Sequence, residues 1–197
     1  MGGDDRQTKE RIIEAATALI KQHGSAESVT MRDIAAGAGV GVGLINYHFQ
    51  TKDRLLELCI QRIISRVIDG FEPMYKALNG TPPLEKLKTL LKSTASFLAA
   101  QPGLSRTSIV TDLISPAAGD NTTQTISVYL PVVREVCPDA PDSEVFRKLH
   151  TLVSAVQAAF LRRNVLKAEH RLDYDDNKTR DAFIDALAED LFGGYAR

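Results

Sequence analysis

The chain has 197 residues, with 24 Lys and Arg against 25 Asp and Glu, 44% apolar residues and no Trp. That composition suits a globular protein of one or two domains, and no run of about 18 apolar residues is present to span a bilayer. The acidic start Asp4-Asp5 lacks the basic and apolar stretches of a secretion signal, so a cytoplasmic protein without a membrane anchor is expected. Cys59 and Cys137 stand far apart with no Cys/His cluster, which gives no reason to expect a disulfide framework, a metal site or a cofactor. With a net charge of −1, any contact with nucleic acid has to come from a local surface.

Apolar periodicity is helical throughout, so the fold is expected to be all-α. Ile12, Ala16, Leu19 and Ile20 form the stripe of a first helix over residues 6–23, stopped by His23-Gly24. Thr30 followed by Asp33 reads as a capping box opening a short second helix that ends at Gly39. Residues 43–49 make a third helix, and Thr51 caps a fourth that runs over 52–71 with Leu56, Cys59, Ile60 and Ile63 on its apolar face. Pro82 and Pro83 open a fifth helix carrying Leu84, Leu87, Leu91 and Leu98. Two shorter helices follow around Ile109–Ile114 and Ile126–Val136, the second with Pro131 as an expected kink. Asp142 is expected to cap a long helix reaching Asn164, and a last helix over 176–192 carries Phe183, Leu187 and Leu191 before Gly193-Gly194. That makes nine helices, with a domain boundary between residues 6–53 and 54–197 where short helices give way to long ones.

Residues 31–49 have the spacing of a helix-turn-helix: Ala35 where two helices cross, Gly39 in the turn and Ile45 filling the core. Spacing alone leaves an ordinary helical hairpin equally open. The strings Thr30-Met31-Arg32-Asp33-Ile34-Ala35, Ala38-Gly39-Val40, Asn46-Tyr47-His48-Phe49 and Thr51-Lys52-Asp53-Arg54-Leu55-Leu56 closely resemble the TetR family of bacterial transcriptional regulators. The resemblance covers roughly residues 6–60, and beyond it the helices are similar to the family only in number, length and order. It implies a homodimer that binds double-stranded, palindromic operator DNA, usually represses, and releases it when a small molecule enters the larger domain.

On that resemblance Thr30, Arg32, Tyr47 and Lys52 meet phosphates, while Gly41, Val42, Gly43, Leu44, Asn46 and His48 occupy the recognition stretch. Base readout falls to Val42, Leu44, Asn46 and His48, with Asn suited to adenine and Val to a thymine methyl. Leu44 is equally open to an inward position beside Ile45. Many family members have Ser-Lys-Gly-Thr where this chain has Gly41-Val42-Gly43-Leu44, so a cap hydroxyl and a lysine are missing. Charges over residues 1–54 balance, and affinity has to come from their arrangement. Arg6 and Lys9 are read either as an arm beside the operator or as a solvated terminus.

The same resemblance implies an effector cavity, for which Cys59, Ile63, Phe97, Thr107, Thr111, Tyr129, His150 and Ser154 are candidates as polar or polarisable groups on apolar faces. His150, Ser154 and Gln157 form one polar stripe on the long late helix. Val156, Phe160, Phe183 and Leu187 are the expected dimer contacts. Enzymatic readings find no support: the glycines of 37–43 follow no strand and match no phosphate loop, and the Asp173–Asn177 run has Lys178 in place of the Gly of a calcium loop. Two alternatives stay open, a DNA binder without an effector and a helical ligand-binding protein that has lost its operator.

Overall fold

The computed structural model describes residues 2–23 and 28–195, so the expected stop at Gly24 lies outside the described residues. These residues form eleven α-helices and no strand: α1 (Gly2–His23), α2 (Met31–Ala38), α3 (Val42–Phe49), α4 (Lys52–Asp69), α5 (Phe71–Ala77), α6 (Pro83–Ala100), α7 (Pro102–Ile114), α8 (Asn121–Val136), α9 (Asp142–Leu161), α10 (Arg163–His170) and α11 (Asn177–Phe192). The described residues close with a 3-10 turn over Gly193–Tyr195.

The two helices beyond the expected nine come from breaks in longer patterns. Pro73 has no N–H to donate to the carbonyl of Asp69, so α4 cannot continue through it and α5 starts afresh at Phe71. Arg162, at φ −99° and ψ 8°, separates α9 from α10, and Arg163 donates to the end carbonyl of Phe160. The expected cap of α9 is also displaced: Pro141 stands at that position, and Asp142, in the first turn, pairs with Arg134.

Two compact units emerge. The first takes residues up to Arg66 together with 101–111, and the second takes 67–100 with 112 onward. The first unit therefore ends later than the boundary expected at residues 53 and 54. The reason is the wide apolar face of α4, whose Leu55, Leu56, Cys59, Ile60 and Ile63 are all buried. The Cys59 thiol lies 3.7 Å from the carbonyl of Ile13 and Arg62 pairs with Glu10 at 2.7 Å, tying α4 to α1. Burial pushes the Cys59 thiol up to about 11, so it stays protonated and behaves as a small apolar group.

In the second unit α6 packs on α8 and α11, and α8 on α9. Tyr129 sits at the centre with its hydroxyl 2.6 Å from Thr94 Oγ1 and 3.1 Å from the Leu90 carbonyl. That burial holds the phenol in its neutral form. Lys148 of α9 donates to the carbonyl of Leu191 at the end of α11, where a cation satisfies an orphan acceptor and opposes the helix dipole. Among the described residues no helix is long and apolar enough to cross a membrane.

Candidate nucleic-acid interface

Local rules fix α2 at both ends. The Thr30 hydroxyl accepts from the Asp33 N–H at 3.2 Å, while the Asp33 carboxylate accepts from the Thr30 N–H at 3.1 Å. This is the reciprocal box read from the sequence, and the bonds from Thr30 hold the Asp33 carboxyl below its ordinary range. At the other end Gly39 adopts φ 63°, with its N–H bonded to Ala36 and that of Val40 to Ala35. That is the Schellman arrangement, in which only a residue without Cβ turns the chain at no steric cost. Arg11 of α1 donates to the carbonyl of Ala38 at 2.9 Å and pins the C-terminus of α2.

The turn delivers α3 with Ile45 and Phe49 inward, both buried. Its outer face carries Val42 at 36% exposure, Leu44 at 39% and Tyr47 at 74%, with Asn46 exposed beside them. Leu44 thus faces solvent rather than packing beside Ile45. Gly41 supplies no side-chain cap, and a Cβ built on Gly41 or Gly43 meets nothing within 4 Å. The first amides of α3 stand open to an approaching anion.

Other expected residues divide. Thr30 and Arg32 are exposed at the start of α2, Lys52 is half-buried at the start of α4, and the Thr51 hydroxyl caps α4 through the Arg54 N–H. The Thr30 hydroxyl is engaged with Asp33. The His48 side chain is only 4% exposed, with Nε2 3.7 Å from a carboxylate oxygen of Asp5 and its ring against those of Tyr47 and Phe49. It points toward α1, which removes it from the outer face where base readout was expected. Arg6 and Lys9 belong to α1 itself, and the Lys9 ammonium lies over the Phe49 ring at 5.7 Å.

Between α3 and α4 the chain turns on Gln50, at φ 65° and ψ −50°, with the Thr51 N–H bonded to the Phe49 carbonyl at 2.7 Å. A side chain in this positive-φ γ-turn is strained by about 1–3 kcal/mol. Gln50→Gly relieves the strain and adds about 0.5–1 kcal/mol of unfolded-state entropy. Its urea midpoint is expected to rise by the equivalent of about 1 kcal/mol; a fall would show that the Gln50 side chain holds the turn.

The effector candidates do not gather in one unit. Cys59, Ile63, Thr107 and Thr111 belong to the first, and Phe97, Tyr129, His150 and Ser154 to the second. Cys59, Ile63 and Tyr129 are buried, whereas Thr111 and His150 are exposed. The polar stripe of α9 also splits: His150 and Ser154 face outward, 3.5 Å apart, while Gln157 turns inward to the Thr122 hydroxyl at 3.0 Å. Of the expected dimer residues, Val156 and Phe160 are spent in the chain's own core, and only Phe183 and Leu187 keep partial exposure. The sequence reading missed Arg180, which is 2% exposed and hydrogen-bonds Ser96, Tyr174 and Asn177. Its signal was the stripe Arg180, Ile184, Ala188 and Phe192 at four-residue spacing.

Comparison with known proteins places this geometry. Residues 12–59 match the family described as bacterial regulatory proteins, tetR family. The HTH-type transcriptional regulator BetI 2 of Chromohalobacter salexigens is 32% identical over 84 residues, 43% of this chain and 40% of that relative. The match thus spans well under half the length of that relative. A structure from Mesorhizobium loti assigned to the TetR-family transcriptional regulators superposes with a TM-score of 0.68 at 17% identity, over 96% of this chain and 97% of the other. FadR of Bacillus subtilis, solved in complex with stearoyl-CoA, gives 0.62 at 18% identity, over 94% and 98%. These likenesses extend the fold to the whole chain, and its helix-turn-helix segment is similar to that of the tetR family of bacterial regulatory proteins.

Proposed function

We propose that the chain is a sequence-specific DNA-binding transcriptional regulator, not an enzyme. In this reading it works in the cytoplasm as a homodimer, repressing from a palindromic operator until a small, partly apolar ligand binds. The observation that carries this reading is the outer face of α3, held by a capped α2 and a glycine turn, with Val42, Leu44, Asn46 and Tyr47 turned to solvent. A solvent-facing helix with two exposed branched residues and no charge is poorly explained by folding alone. It suits the major groove, where Asn46 pairs with an adenine and Val42 and Leu44 meet thymine methyls. Arg32, Tyr47 and Lys52 then contact phosphates, with Thr30 and the open amides at Gly41 and Gly43 beside them.

Support for a dimer comes from the outward faces of α9 and α11. Phe146 is 56% exposed, and Ala158, Ala182 and Ala186 are exposed near the half-buried Phe183 and Leu187. Small and apolar residues on two long helices suit close packing against a second copy. Release follows where the ligand prefers a state whose two α3 helices no longer match successive major grooves, about 34–36 Å apart. The acyl-CoA held by the FadR neighbour supports a partly apolar effector.

The test is binding of the full chain to its own upstream DNA against scrambled DNA of equal length, at about 150 mM salt. Preference of about a thousandfold supports an operator-binding regulator, and equal weak binding to both counts against it. Asn46→Ala is expected to weaken specific binding by about 1–3 kcal/mol while leaving scrambled DNA nearly unaffected. An unchanged ratio removes Asn46 from the readout. Because α3 carries no Lys or Arg, log K against log salt is expected to be shallower than about −8; a steeper line means more phosphates are neutralised than the surface supplies.

A further inference from the structure

A second surface of the first unit is built from α1 and α4 alone. Glu14, Thr17, Ala18 and Lys21 recur on one face of α1 at three- and four-residue spacing, and Arg62 and Arg66 do so on α4. Together they line a cleft of about 340 Å³. Three cations face it against the single carboxylate Glu14, and of these Arg62 alone is paired, with Glu10. Lys21 and Arg66 are exposed and take part in no ion pair among the described residues. Thr17 lies in the cleft wall and is 6% exposed. Arg66 lies 14 residues beyond Lys52 on one helix, which at 1.5 Å per residue is about 21 Å along the axis, so the cleft is separate from the α3 surface.

We propose that this cleft binds a small dianion of the phosphate type, either inorganic phosphate or a phosphomonoester. Lys21 and Arg66, held unpaired around a concavity, repel one another, and an anion bound between them relieves that repulsion. Arg66 offers a planar fork for two phosphate oxygens and Lys21 a point charge from the opposite helix. The dianion thereby ties the end of α1 to α4. The volume leaves room beyond a phosphate for an organic body. Binding in the absence of DNA does not depend on the regulatory reading, so the two stand or fall separately.

The test is calorimetric titration of the full chain with inorganic phosphate and with 5′-AMP, ionic strength being held constant with sodium chloride. Saturable binding is expected at about 1 mM or tighter for at least one of the two. At least tenfold tighter binding of 5′-AMP identifies a phosphomonoester site, and equal affinities identify free phosphate. Arg66→Gln and Lys21→Gln, both at exposed positions, are each expected to weaken binding at least tenfold, while Lys178→Gln on α11 leaves it unchanged. No saturation for either probe overturns the proposal, as does equal weakening by Lys178→Gln. Variants that keep the dianion affinity but lose affinity for random-sequence DNA also overturn it, because the cleft then belongs to a DNA surface.

Discussion

Ile45→Ala is expected to destabilise the first unit by about 3 kcal/mol and to remove sequence-specific DNA binding. Ile45 is fully buried, and truncation of a buried Ile to Ala costs about 2–5 kcal/mol through lost transfer energy and the cavity left behind. The site has little capacity to compensate. α3 is eight residues long and is anchored inward by Ile45 and Phe49, so losing one leaves a single apolar contact to hold its orientation. A helix that short has no stability of its own in water, and its position depends on packing. Denaturation in urea reads the stability loss, and the ratio of operator to scrambled DNA binding reads the positional loss. Retained specificity at reduced stability would show that Phe49 and the capped α2 suffice to aim the helix.

The helix-turn-helix was legible because its signals are local. Thr30 with Asp33, and Gly39 at the end of the second helix, are cap chemistry that a short window of sequence displays, and the structure uses both as read. His48 was misplaced because the direction of its side chain depends on Asp5, a residue more than forty positions earlier that no local pattern connects to it. In α11 two stripes compete, offset by one residue. Phe183, Leu187 and Leu191 read as the helix's apolar stripe, with Phe183 and Leu187 as dimer contacts, while Ile184, Ala188 and Phe192 are the buried set, led by Arg180. A buried arginine at the head of the stripe disguised it, since charge usually marks the solvent side. The effector candidates were chosen on polarity within apolar faces, a criterion that core hydrogen bonding satisfies equally, as Tyr129 with Thr94 shows.

The near-neutral first unit shapes how a regulator of this kind discriminates. With no cation on α3, non-specific attraction to phosphates is weak, and the operator has to be found through fit of the outer face and the open amides of its first turn. In the proposed dimer, two copies binding together multiply a modest single-site preference, so self-association would carry much of the total affinity. On that reading the outward faces of α9 and α11 would matter to DNA binding although they lie outside the helix-turn-helix.

Arg180→Met tests that dependence and is expected to cost about 3 kcal/mol in the second unit. The guanidinium is 2% exposed, forms no ion pair among the described residues, and donates to the Tyr174 carbonyl at 3.1 Å, the Ser96 hydroxyl at 2.8 Å and the Asn177 amide oxygen at 2.7 Å. Methionine keeps much of the apolar stem but leaves three acceptors without their donor. Hydrogen bonds to a charged group contribute about 1.5–3 kcal/mol each, and the recovered desolvation of a buried charge offsets part of that loss. The loosened element is the first turn of α11, next to Ala182 and Phe183. Sedimentation should show weaker self-association, and operator affinity is expected to fall by about a hundredfold as one half-site is lost from the pair. Arg180→Lys, which retains the charge but cannot span three acceptors, should fall between the two. Unfolding midpoint, association and DNA affinity that all match the parent chain would show that this turn of α11 is held by its apolar stripe alone.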